Sequence, residues 1–174
     1  AEMSLRRLGV ETLDLFQLHR LDTKYPLADQ VGVFAELVAE GKVRHVGLSE
    51  VTVDELVAAQ EIVPIASVQN LYNVANRQSE ALLDHCSEHG IGFIPWFPIA
   101  TGKLTEPDGP LTAISARTGL TPAQLALAWL LRRSPVMLPI PGTKTLAHLE
   151  DNCSAAEVEL DDATYAELDA LAAA

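Results

Sequence analysis

Several side chains able to do chemistry stand at one kind of place in this chain, directly after short apolar runs. Leu13–Leu18 leads into His19, Val43–Leu48 into Ser49, and Ile65–Val68 into Gln69 and Asn70. Gly92–Pro95 leads into Trp96, and Val136–Ile140 into Gly142 and Thr143. An imidazole can hold or move a proton near neutrality. A hydroxyl and a primary amide both donate and accept hydrogen bonds, and an indole offers a flat apolar face. A Gly-Thr pair ahead of a helix leaves backbone N–H groups pointing at any anion placed there. Singly each is bland: a histidine there most often satisfies core or cap, Gln69 and Asn70 can bind loop backbone, and Trp96 would be a core aromatic. Their shared position is what makes them a candidate site.

The positioning elements follow from the pattern. Apolar runs at 13–19, 43–49, 65–70, 92–98 and 136–140 read as five strands. Between them lie helical stretches near 30–40, 79–90, 121–133 and 145–155, and one opening at Thr52, where Glu55 completes a capping box. Thr121 reads as a cap with Pro122 in the first turn, and an acidic helix capped around Asp161 closes the chain. Strands alternating with helices make an α/β fold with a parallel sheet. A doubly wound sheet and a TIM (β/α)8 barrel both satisfy that pattern. No glycine-rich fingerprint follows any strand, as a dinucleotide-binding doubly wound sheet requires. A barrel spends roughly 31 residues per unit, so 174 residues hold about five and a half units. The expected architecture is therefore the last five β/α units of one barrel domain spanning 1–174. Ser4–Gly9 reads as the end of an amphipathic helix with a glycine stop. The chain thus reads as beginning inside a larger protein, with Met3 as an internal start the alternative.

Composition narrows the partners. With 24 acidic and 12 basic residues the formal charge is −12, which disfavours nucleic acid and anionic membrane surfaces. No run reaches the ~18 apolar residues of a spanning helix, and no basic-then-apolar leader opens the chain, so a cytoplasmic protein is expected. Cys86 and Cys153 form no disulfide framework. His85-Cys86-Ser87-Glu88-His89 matches the H-x-x-E-H pattern of a zinc-protease helix. It ends at Gly90, however, where histidines complement the helix dipole, and no third ligand is indicated, so no metal is expected. Leu125, Leu127, Leu130 and Leu131 around Trp129 read as packing between helix and barrel.

Ordered motifs along most of the chain resemble the aldo-keto reductase family. They are Ser4–Gly9, Leu13–Arg20, Gly41–Ser49, Val68–Asn73, Pro95–Ile99, Ile140–Lys144 and Leu149–Asn152. The resemblance implies a TIM barrel that reduces aldehydes or ketones with NADPH, and a small-molecule carbonyl substrate. It makes His19 the residue that holds the carbonyl oxygen and supports its developing charge. It makes Ser49 and Gln69 ligands of the nicotinamide carboxamide and Trp96 the surface on which the nicotinamide stacks, with Ile99 beside the cofactor. Gly142, Thr143 and Lys144 would receive phosphate, Lys144 as a point charge for the adenosine 2′-phosphate, and Asn152 would meet the adenine amine.

The chain departs from the family in three ways. Glu50 follows Ser49 where the family usually has Asn; a carboxylate can accept from the carboxamide NH2 but cannot donate. His148 stands where many members place Arg for the 2′-phosphate, which leaves NADH open beside NADPH. The family's proton-donating Tyr, its Lys and their Asp lie on segments not in this chain. Asp22, Lys24 and Tyr25 are adjacent on one loop and read as a substrate loop with Tyr25 as a wall. The alternative function is a nucleotide-binding or regulatory barrel subunit, or a decayed enzyme, without turnover. Five strands cannot close a barrel at the usual tilt, so self-association of the incomplete barrel is expected.

Overall fold

The structure, a computed structural model, describes residues 1–99, 109 and 111–173. Four strands, β1 (Leu13–Leu18), β2 (Val43–Ser49), β3 (Ile65–Leu71) and β4 (Gly92–Trp96), form one sheet in chain order. All three pairings are parallel. Helices α1 (Glu2–Leu8), α2 (Leu27–Ala39), α3 (Val53–Gln60) and α4 (Glu80–His89) precede or connect them. Four more helices, α5 (Leu111–Thr118), α6 (Pro122–Arg133), α7 (Leu146–Ser154) and α8 (Asp162–Asp169), follow β4.

Local chemistry sets the helix limits. Thr52 and Glu55 close the expected capping box on α3, and Thr121 and Gln124 close another on α6, with Pro122 at its start. Thr145 caps α7 through the His148 N–H, and Asp161 caps α8 through the Thr164 N–H. Gly9 and Gly90 end α1 and α4 in the left-handed region (φ 68° and 67°), which glycine enters without a Cβ penalty.

The expected fifth strand does not form. Val136–Ile140 reaches the sheet only at an isolated bridge between Met137 and Phe93. There the Phe93 N–H donates to Val136 O and the Leu138 N–H to Phe93 O, both at 2.8 Å. Pro135, Pro139 and Pro141 flank the bridge; without N–H groups they cannot extend a ladder. The five expected units are thus four strands and a bridged extended segment. The loop expected after Pro98 falls mostly at 100–108, outside the described residues. The helix α5 was not expected.

Side-chain alternation divides the sheet into two faces. Phe16, Val46, Leu48, Val68 and Phe93 belong to the core shared with the helices, where Phe16 meets Phe34 of α2 with ring centroids 5.5 Å apart. The register sets Gln17, Gly47 and Ser67 side by side on the other face, with Ser49 beside Gln69 and Gln69 beside Ile94. On that second face Leu15 is 41% exposed, and Gln17 Nε2 donates to Ser67 Oγ at 3.2 Å. Trp129 of α6 is fully buried in a stack with Tyr72 and Tyr165, and the Arg77 guanidinium lies 3.7 Å from its ring centroid. Leu125, Leu127 and Leu130 are buried with it as expected, whereas Leu131 is 36% exposed. Cys86 is buried and Cys153 exposed, both free. No helix among the described residues is long and apolar enough to cross a membrane.

Candidate active site and cofactor cavity

The C-terminal ends of the parallel strands all lie on one side of the sheet. Ser49 ends β2, almost buried, and its Oγ donates to Gln69 O of β3 at 2.8 Å. Its proton is therefore committed, and what Ser49 offers a ligand is a lone pair. Gln69 projects on the same face, half-buried, with no hydrogen-bond partner for its carboxamide among the described residues. Asn70 takes the opposite face. Its Nδ2 donates to Val51 O (3.0 Å) and its Oδ1 accepts the Val51 N–H (3.2 Å). Of the two adjacent amides, Asn70 braces the β2–α3 connection, and Gln69 is the one without a partner among the described residues.

Trp96, at the end of β4, is held by its edge. Its indole N–H donates to Glu50 Oε1 (2.5 Å), which also accepts the Leu71 N–H (3.1 Å). Two non-glycine residues among those described have left-handed φ, Glu50 (56°) and Phe97 (61°). Each directly follows an expected site residue, at the places where strain of this kind tends to collect. Glu50 thus ties the ends of β2, β3 and β4 together, a role its sequence position alone does not show.

His19 follows β1, one residue beyond Leu18, which pairs with Leu48. It is exposed and has no partner among the described residues. Behind it the 22–25 loop is organised by Gln30, whose Nε2 donates to Asp22 O and Tyr25 O. Asp22 Oδ1 accepts the Lys24 backbone N–H (3.0 Å), and the Tyr25 side chain is exposed. The three residues are a solvent-facing turn.

A second group gathers at the starts of α6 and α7. Ile99, Gly142, His148 and Asn152 line one cavity of about 640 Å³. Thr143 and Lys144 are exposed on the segment leading into α7 and are not part of its wall. The backbone N–H groups that open a helix have no intrahelical acceptor, and Gly142 has open space where a Cβ would be. A phosphate can approach such a surface closely. The cavity also contains Asp151, which sequence reasoning did not single out, and whose Oδ2 accepts from Thr121 Oγ1 at 2.9 Å. That bond links α7 to the cap of α6 and depends on residues thirty positions apart.

His85 and His89 lie one turn apart in the last part of α4. Their rings stack with centroids 4.1 Å apart, and His89 Nδ1 lies 2.8 Å from His85 O. No cluster of three His, Cys, Asp or Glu side chains placed to hold a metal ion occurs among the described residues.

The family model described as "Aldo/keto reductase family" matches residues 1–173. An uncharacterized oxidoreductase of Schizosaccharomyces pombe is 51% identical, over 96% of this chain and 55% of its own. Pyridoxine 4-dehydrogenase of Escherichia coli is 38% identical, over 97% of this chain and 60% of its own. Among solved structures, a thermostable aldo-keto reductase in complex with the inhibitor epalrestat superposes with a TM-score of 0.87 at 30% identity, covering 98% of this chain and 64% of that one. An aldo/keto reductase from Klebsiella pneumoniae in complex with NADP and acetate gives 0.84 at 32% identity, covering 98% and 62%. The chain therefore spans about 55–60% of the length of these curated relatives, and it belongs to the aldo/keto reductase family.

Proposed function

We propose that this chain carries the cofactor site of an NADP(H)-dependent oxidoreductase that reduces aldehydes or ketones to alcohols. The carrying observation is the cavity that joins Ile99, Gly142, His148 and Asn152 at the start of α7, together with the Gln69 amide and a fixed indole at the ends of β3 and β4. NADPH, when bound, supplies the hydride. Trp96 gives the nicotinamide a flat surface whose tilt is set by the Glu50 bond. Ser49 accepts from the carboxamide NH2 and Gln69 donates to its oxygen, which fixes which ring face is presented. Gly142 and Thr143 lead phosphate to the α7 N-terminus, Lys144 and His148 lie near the ribose 2′-phosphate, and Asn152 meets the adenine. His19 donates to the substrate carbonyl oxygen and stabilises charge as it develops there.

Cofactor binding without turnover is the second reading. It is favoured by the tyrosines: Tyr72 and Tyr165 are stacked on Trp129, and Tyr25 is exposed on the turn whose aspartate binds backbone. Calorimetry with adenosine 2′,5′-bisphosphate and with adenosine 5′-monophosphate tests the cofactor assignment. The 2′-phosphate should tighten binding by about tenfold, equivalent to 1.4 kcal/mol, and Lys144→Ala should remove most of that gain. Equal affinities would refute the NADP(H) preference, and no binding of either nucleotide would refute the site.

A further inference from the structure

Glutamate is an unusual occupant of position 50. Left-handed backbone is tolerated best by Gly, Asn and Asp, yet Glu50 has φ 56°. Its carboxylate is bound through one oxygen, Oε1, by two N–H groups, those of Leu71 and Trp96. No lysine or arginine pairs with it among the described residues, whereas Glu2, Glu40, Glu80 and Glu167 each have a cationic partner. Among the described residues, a negative charge without a cationic partner is thus fixed on the edge of the indole. A neutral amide would serve the same two donors equally well, so holding Trp96 in place does not by itself call for the charge.

We infer that Glu50 biases the bound nicotinamide toward its oxidised form, acting as a positioning residue through Trp96 and as a fixed negative charge at the ring's edge. The inference rests on the proposed stacking of the nicotinamide on Trp96. The oxidised ring is cationic and the reduced ring neutral, so a nearby negative charge stabilises only the former. The indole carries the effect further. Donating its N–H to a carboxylate raises the electron density of the ring, which strengthens the attraction between its face and a cation above it. Both contributions have the same sign. The protein holds NADP+ more tightly relative to NADPH than a neutral residue would allow, and the bound reduced cofactor becomes a stronger hydride donor.

The test is a pair of calorimetric titrations, with NADP+ and with NADPH, on the wild-type chain and on Glu50→Gln. Gln keeps the length and the acceptor oxygen and removes the charge. The ratio Kd(NADP+)/Kd(NADPH) should rise about tenfold in Glu50→Gln, equivalent to raising the potential of the bound couple by about 30 mV. Glu50→Asp, which keeps the charge, should hold the wild-type ratio to within about threefold even where both affinities fall. Equal weakening of both forms in Glu50→Gln would show a purely structural bracket and overturn the inference, as would an unchanged pair of affinities. Failure of the wild-type chain to bind either nucleotide would instead overturn the cofactor site on which the inference depends.

Discussion

Gly47 sits in the layer directly beneath the candidate site, two residues before Ser49 and beside Ser67, which is two residues before Gln69. A Cβ added at Gly47 would lie 2.4 Å from Ser67 Oγ and 2.8 Å from Gln17 Cγ, the two side chains joined by the 3.2 Å hydrogen bond. Gly47→Ala must break that bond or push β2 away from its neighbours. Overpacking of this kind costs about 1–3 kcal/mol and the lost bond about 1. Replacing a strand glycine recovers roughly 0.5–1. The net expectation is a loss of about 2 kcal/mol. Urea denaturation should show it as a midpoint lowered by about 1 M at unchanged slope, for slopes near 2 kcal/mol/M. Ser67→Ala removes the closest atom, and Gln17 lies on the sheet face opposite the helices. The double variant should therefore fall within about 1 kcal/mol of Ser67→Ala alone, giving a coupling of at least ~1 kcal/mol. A Gly47→Ala midpoint equal to wild type, or no relief from Ser67→Ala, would refute the packing argument.

Other consequences are open to direct measurement. Thr52→Ala removes the Oγ1 that accepts the Glu55 N–H in the α3 capping box and leaves the backbone N–H that donates to Glu55; it should cost about 1 kcal/mol in the same denaturation assay, and an unchanged midpoint would contradict it. Burial, and then the hydrogen bond donated to Glu80 (2.6 Å), hold the Tyr72 phenol well above the usual tyrosine range. Its contribution to stability is therefore complete below the unfolded value of about 10 and is lost as pH rises beyond it. Tyr72→Phe should flatten the fall of the unfolding midpoint above pH ~10, and parallel pH profiles would contradict this. Burial pushes the Cys86 thiol up to about 12, while Cys153 is exposed. A thiol reagent at neutral pH should modify Cys153 alone until the chain unfolds, and immediate reaction of both would show the α4 core to be open. With β1 at the edge of the sheet and Leu15, Leu138 and Ile140 exposed, we propose that the isolated chain self-associates. Sedimentation showing a single monomer at low micromolar concentration would oppose that.

Local signals were legible in the sequence and tertiary ones were not. The capping box at Thr52, the cap at Thr121, the glycine stops and the cap at Asp161 each depend on residues within four positions, and all formed as expected; the Gln124 half of the Thr121 box was not foreseen. The fifth apolar run does not pair as a strand because a ladder depends on N–H groups, which its three prolines lack. Asn70 and Gln69 differ through strand alternation, which assigns adjacent residues to opposite faces. The two roles of Glu50 could not be read at all. They depend on β3 lying between β2 and β4, which brings Glu50 to Trp96 across 46 positions. Asp151 was hidden for the same reason.

The most direct test of the central claim is an NADPH titration followed by tryptophan emission, with NADH as the comparison. The chain has two tryptophans; Trp129 is fully buried in its stack with Tyr72 and Tyr165, and Trp96 is half-buried at a strand end. Saturable quenching by NADPH that persists in Trp129→Phe and disappears in Trp96→Leu is the predicted result, with NADH binding more weakly. Quenching that survives in Trp96→Leu, or no saturation with either nucleotide, would contradict a nicotinamide site on this face of the sheet.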